Sequence, residues 1–191
     1  MTSRPAPIKR QSAVPSAEPP PKPPCQIHAS AVVAEKASIS GSHAVELGEN
    51  TVLHPFAKIK AENGKVSIGR SSVVCETAVV GGECDVHIGD GVVIGTGAIV
   101  EAKSIGNGTV IEAKAKIGRG AKVGKYCKIT PLNEIKPNEI IPDYTVVYGD
   151  NKRKHNQTLA SNPEVRNALR QGQELHVRSL KRIPDSSAKY A

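Results

Sequence analysis

The sequence predicts an all-β repeat protein, a parallel β-helix of about seven coils followed by one C-terminal α-helix. Three observations predict it. Aliphatic residues recur at every sixth position through the middle of the chain, 16 of the 17 glycines lie between Gly41 and Gly149, and large aromatic side chains are nearly absent, with no Trp and one Phe, Phe56.

The beat of six is clearest from Ile105 onward, where Ile105, Ile111, Ile117, Val123, Ile129, Ile135, Ile141 and Val147 follow one another without a break. Ile, Val and Leu make up 34 of residues 27 to 149, so eight hits in one phase have a chance probability of about 10⁻⁵ to 10⁻⁴. Upstream the beat runs through Ile27, Val33, Ile39 and Val45, then Leu47, Leu53 and Ile59, then Ile68, Val74 and Val80, then Ile88, Ile94 and Val100, with small insertions between the runs. Gly often follows the aliphatic residue, as at Gly48, Gly69, Gly89, Gly106 and Gly124, and the fourth position after it is small.

A period of six fits neither a helix nor a two-faced strand, but it suits a short strand and a turn with two inward side chains per unit. Three units close a triangular coil of 18 residues. Parallel coils about 4.8 Å apart turn residues 27–149 into a prism roughly 33 Å tall. So narrow an interior holds stacked Ile and Val but no Trp, which accounts for the aliphatic composition. Glycine is expected at the corners for its conformational freedom, and Ala61–Lys65 and Gly81–Asp85 exceed the beat and are read as corner loops.

The flanks read differently. Eight of the 14 prolines lie in the first 24 residues, so residues 1–26 are expected to form a disordered, basic, polyproline-like tail, with a PxxP pattern at Pro20–Pro24. Residues 150–161, with Lys152-Arg153-Lys154, read as a basic linker. Asn162-Pro163-Glu164 reads as a helix start with Asn as the cap. The helix is expected over 162–183, with Val165, Leu169, Leu175, Leu180 and Ile183 as an imperfect apolar stripe for the prism or a partner, Pro184 ending it, and a disordered tail at 184–191.

Charge follows the same division. Residues 27–149 carry 13 basic and 13 acidic groups, residues 1–26 four and one, and residues 150–191 nine and four, so the net +8 belongs to the ends. Without interleaved aromatics this distribution does not point to nucleic acid. No stretch of 18 apolar residues and no N-terminal hydrophobic run is present, so neither a membrane span nor a secretory signal is expected and an intracellular protein is predicted. Cys25, Cys75, Cys84 and Cys127 lack disulfide or metal spacing, and Cys127 occupies a small inward position.

The chemistry-bearing residues are few. His28, His43, His54, His87, His155 and His176 show no pair at metal-ligand spacing, and His87, then His54, are the best candidates for a general base. GxG elements such as Gly89-Asp90-Gly91 recur with the beat and are corners rather than phosphate loops. Lys114, Lys116, Arg119, Lys122, Lys125 and Lys128 form a run with no acid between Ala113 and Asn133, a candidate contact for an acidic partner surface.

The hexad pattern resembles the left-handed β-helix superfamily of bacterial acyltransferases and γ-class carbonic anhydrases. That resemblance implies left-handed winding, with a His base in the first kind and zinc held by three His in the second. The zinc-ligand positions fall here on Gly81, Thr96 and Glu101, so no metal and no cofactor are expected. More narrowly, Leu53 to Glu62, Val110 to Ala115, Ile140 to Gly149 and Asn156-Gln157-Thr158 before a C-terminal helix are similar to the dynactin subunit 6 family, over roughly residues 27–183. The Pro-rich start and the short loop after Val80 depart from that family.

This resemblance implies a non-catalytic adaptor in the pointed-end complex of dynactin. Such a subunit pairs with a second β-helix, dynactin subunit 5, beside an actin-related protein, and supports dynein-based transport on microtubules and cargo targeting. It implies a heteromeric complex in the cytoplasm and cytoskeleton, without nucleic acid or membrane insertion. The alternative is a trimeric hexapeptide-repeat acyltransferase or a degenerate carbonic-anhydrase-like scaffold. The candidate interaction residues are the six basic residues from Lys114 to Lys128 together with Val165, Leu169 and Leu180.

Overall fold

A computed structural model describes residues 23–181. Of the tail expected over residues 1–26, residues 1–22 lie outside the described residues, as do the helix position Ile183, the stop at Pro184 and the tail 184–191, whereas Cys25 and Gln26 are not tail but part of a strand, Cys25–Ile27.

The chain winds through a solenoid that places one short strand on each of three faces per coil. The first coil holds β1 (Cys25–Ile27), β2 (Val32–Val33) and β3 (Ser38–Gly41), and the second β4 (Val45–Leu47), β5 (Val52–Leu53) and β6 (Lys58–Ala61). The third holds β7 (Val66–Ile68), β8 (Val73–Val74) and β9 (Val79–Val80), and the fourth β10 (Val86–Ile88), β11 (Val93–Ile94) and β12 (Ile99–Val100). The fifth comprises β13 (Ser104–Ile105), β14 (Val110–Ile111) and β15 (Lys116–Ile117), and the sixth β16 (Lys122–Val123), β17 (Lys128–Ile129) and β18 (Glu134–Ile135). Two strands of a seventh coil follow, β19 (Ile140–Ile141) and β20 (Thr145–Tyr148). Each strand pairs in parallel with the one three places on, giving three flat sheets.

Register turns the beat of six into columns. On the first sheet Ile27, Leu47, Ile68, Ile88, Ile105, Val123 and Ile141 stack in line. On the second the column is Val33, Leu53, Val74, Ile94, Ile111, Ile129 and Val147, and on the third Ile39, Ile59, Val80, Val100, Ile117 and Ile135. From the second coil onward these side chains are buried and form one core with the small inward residues Ala57, Ala78, Ala98, Ala115 and Cys127. Burying ten or more Ile and Leu side chains at about 1.5–3 kcal/mol each is the main favourable term. The buried hydroxyls are satisfied across coils: Thr51 Oγ1 donates to the Gly69 carbonyl at 2.7 Å and Thr109 Oγ1 to that of Gly124 at 2.7 Å, which removes the desolvation penalty of a polar corner.

The glycines that follow the aliphatic residue serve close approach, not the conformational freedom expected of them. At Gly106, whose φ is not positive, an added Cβ would lie 2.6 Å from the carbonyl carbon of Gly124 in the next coil. The left-handed corner position comes later in the turn, where Gly91, Gly97, Gly108 and Gly120 do use that freedom with φ from 65° to 69°, and where nine non-glycine residues, among them Asn50, Phe56, Ser71, Tyr126 and Tyr144, have φ from 51° to 63°. Interlocked coils hold that conformation against its intrinsic cost.

The segment 150–161 is not a linker. It forms β21 (Lys152–His155), which pairs antiparallel with β20, and the short helix α1 (Gln157–Ser161). The antiparallel return pairs the outer edge of β20, which an extended linker would have left open. Asn156 caps α1, its Oδ1 accepting from the Leu159 N–H at 3.2 Å. Asn162 caps α2 (Pro163–Leu180), its Oδ1 accepting from the Glu164 and Val165 N–H groups at 3.0 and 3.3 Å.

Candidate functional site

Helix α2 runs back along the second sheet from the seventh coil to the second. At its start the Arg166 guanidinium lies 5.7 Å from the ring centroid of Tyr144, which stacks on Tyr126 with centroids 6.0 Å apart. Near its end Lys181 Nζ donates to Asn50 Oδ1 at 2.6 Å. The fit is metric: 15 residues at about 1.5 Å rise span about 23 Å, and five coil steps of about 4.8 Å span about 24 Å.

The expected apolar stripe is corrected in detail. The residue that anchors α2 is Val177, fully buried against Val52 and Val73 with Cys75 and Leu180 alongside. Val165 is half-buried, and Leu169 and Leu175 are exposed. Leu169 overhangs a cleft of about 480 Å³ lined also by Val93, Val110 and Tyr126. Val177 escapes a simple stripe because the buried side combines Arg166, Gln173, Val177 and Lys181 at helical spacing, and three of these contact the solenoid through polar groups or a cation. Leu180 lies on the packed side and is unavailable to a partner while α2 is docked.

All six basic residues of the run are exposed, and the coils spread them around the prism. Lys122 projects from the first sheet, Lys128 from the second and Lys116 from the third, while Lys114, Arg119 and Lys125 sit at the corners between them. Two are engaged within the chain: Arg119 pairs with Glu83 at 2.5 Å and Lys128 with Glu112 at 3.0 Å. Each step of six residues turns the coil by about 120°, so the run spreads round about one coil as a girdle.

His87 stands on the outer face of the first sheet, its Nδ1 2.7 Å from Ser67 Oγ. That hydroxyl fixes one ring nitrogen, but no carboxylate hydrogen-bonds to the ring among the described residues, unlike the acid-oriented His of a catalytic triad. His54 sits at a corner with its Nε2 buried and without a hydrogen-bond partner. Among the described residues no group of three His, Cys, Asp or Glu is placed to hold a metal ion, and no helix is long and apolar enough to cross a membrane. At one corner Asp90 Oδ2 accepts from Arg70 at 2.9 Å. Burial opposes ionisation of Asp90, but the hydrogen bonds and charge of Arg70 outweigh it and hold the carboxyl below its ordinary range. Burial pushes the Cys127 thiol up to about 11 and also raises that of Cys75, the opposite of an activated nucleophile.

The two ends of the solenoid contrast. At the first coil the ladder residues Ile27 and Val33 are 44% and 36% exposed, with Val32 at 39%. At the seventh, Ile141 and Val147 are sealed, and β21 covers the strand edge with Lys152, Arg153 and Lys154, where Arg153 pairs with Glu139. The basic cluster is therefore an edge guard.

A hexapeptide transferase family protein from Anaplasma phagocytophilum superposes with a TM-score of 0.68 at 17% identity, covering 81% of this chain and 89% of that one. With the three stacked ladders, that likeness defines the fold as a left-handed hexapeptide-repeat β-helix. No protein-family model matches the chain. It is 32% identical to dynactin subunit 6 of Nematostella vectensis over 152 residues, which cover 73% of this chain and 82% of that protein. Dynactin subunit 6 of Danio rerio is also 32% identical, over 154 residues that cover 73% and 78%. The chain belongs to the dynactin subunit 6 family.

Proposed function

We propose that this chain is a non-catalytic structural subunit of dynactin, an adaptor at the pointed end that supports dynein-based transport and cargo targeting in the cytoplasm, associated with the cytoskeleton. The observation that carries this reading is the 32% identity to dynactin subunit 6 over most of both chains. The chemistry agrees with it: among the described residues no acid hydrogen-bonds to His87, and the Cys75 and Cys127 thiols are raised rather than activated. In this reading the partners are dynactin subunit 5, as a second β-helix, and an actin-related protein, met through exposed faces.

Capture on tagged protein followed by mass spectrometry tests the assignment. Recovery of dynactin subunits, including subunit 5 and an actin-related protein, is the expected result. A purified homotrimer that turns over an acyl-CoA and recovers no dynactin subunit would overturn it.

A further inference from the structure

We propose that the first coil is a docking surface for the terminal coil of a second, non-identical parallel β-solenoid, stacked end to end so that all three sheets continue across the junction. The proposal rests on the reading that this chain pairs with dynactin subunit 5. It adds which surface makes the contact and which end of the partner meets it.

The three sheets all begin at the first coil, with β1, β2 and β3 as their terminal strands. These strands lie in the parallel register that every later coil repeats. The end is therefore flush, and a triangular coil of the same winding is the shape that covers all three strand edges at once. Its core is also unfinished. Ile27 and Val33 occupy ladder positions whose counterparts Leu47 and Leu53 are buried in the next coil. Pairing an edge while covering aliphatic side chains is the physics of strand addition, in which main-chain hydrogen bonds supply affinity and side-chain fit supplies selectivity.

The chemistry also selects the partner. A coil that extends the stack in parallel must present the C-terminal end of its own solenoid. A second copy of this chain cannot do so, because its C-terminal end is closed by the antiparallel β21, carries Lys152, Arg153 and Lys154 on the edge, and runs on into α1 and α2. Edge cations and an antiparallel return are the devices by which sheets resist edge-to-edge addition. The first coil has no such guard among the described residues: the outward positions of β1 and β2 are Gln26 and Val32. One end is protected against addition, and the other, among the described residues, is left in the form that accepts it.

The test is a binding titration between the full chain and purified dynactin subunit 5 from the same organism, followed by analytical ultracentrifugation. The variants are Ile27→Lys with Val33→Lys at the first coil and Lys122→Glu on the flat face of the first sheet. Both sets lie at exposed positions, and thermal melts within a few degrees of the parent establish folding. The expected result is at least a tenfold loss of affinity for the double variant and less than a twofold change for Lys122→Glu. If the parent binds subunit 5 and the folded double variant binds equally well, the end-to-end contact is overturned while the pairing reading stands. If the parent does not bind subunit 5, both fail. Formation of homodimers that the double variant abolishes would make a second copy the occupant and overturn the proposal, as would tighter binding to subunit 5 on deletion of residues 1–22, which would mark that segment as the occupant.

Discussion

At the first coil the ladder side chains Ile27 and Val33 reach solvent, whereas at the seventh coil Ile141 and Val147, members of the same two ladders, are sealed. Residue type does not distinguish them, since all four are aliphatic and all follow the beat of six. The difference lies in what stands beyond. Past β20 the chain turns back as β21 and then continues as α1 and α2, so the last coil has a neighbour made from its own chain. A repeat stack is stabilised by nearest-neighbour contacts, so a coil with one neighbour gains about half of what an internal coil gains.

The strongest test of this gradient places one substitution at two heights of a single ladder. Ile94→Asp buries a charge in the fourth coil with no partner and is expected to abolish folding, read as loss of the cooperative thermal transition. Val33→Asp is expected to leave a folded protein. With milder chemistry, Ile94→Ala should cost about 3 kcal/mol in urea unfolding, and Val33→Ala less than about 1 kcal/mol. Equal costs at the two heights would refute the gradient.

A second test concerns α2, the element that joins the two ends. Val177→Ala removes its buried anchor and should cost about 2 kcal/mol. Its amides over 163–180 should then exchange faster while those of the fourth and fifth coils keep their protection. A uniform rise in exchange would mean that the helix and solenoid unfold as one unit.

Cys127 reports on the sealed side by pH. Its thiol is raised to about 11 from 9.0, so the folded state favours the neutral form. The resulting stability is fully present below pH 9 and is lost as pH rises through 11. Cys127→Ala should flatten the alkaline limb of the stability profile by about 2 to 3 kcal/mol at most. Exposed Cys25 should alkylate at pH 8 while Cys127 remains unmodified.

The smallest expected effect is at the corner pair Arg70 and Asp90. The lowered carboxyl contributes stability above its unfolded value of about 4, and that contribution disappears as pH falls through the folded value. Because the pair is exposed, Asp90→Asn should lower Tm by no more than about 2 °C at pH 7, with an effect that shrinks as pH falls below about 4. A larger shift would show that corners, and not ladders, carry the stack.

Several features were legible before any coordinates. The period of six picked out every ladder residue and, besides them, Val45, which pairs with Cys25 beside the ladder, and Asn162-Pro163-Glu164 marked the start of α2. Other features were not. Lys152-Arg153-Lys154 reads as a soluble linker because a strand with polar residues at every position carries no alternation, yet it pairs with β20. Val177 is one apolar residue on a side otherwise contacting through Arg166, Gln173 and Lys181, so no apolar stripe announces it. The basic run from Lys114 to Lys128, by contrast, follows the period: the sequence already spreads it round about one coil, and the three sheets carry Lys116, Lys122 and Lys128 in turn.

The sequence by itself determined the winding, because a covalent period of six dictates which side chains face inward whatever the coil's neighbours are. Only the tertiary structure decided which corner residues take left-handed backbone, where α2 is anchored, and which end of the prism is closed by β21. Those depend on contacts between residues far apart in the chain, as between Lys181 and Asn50, and local composition carries no record of them.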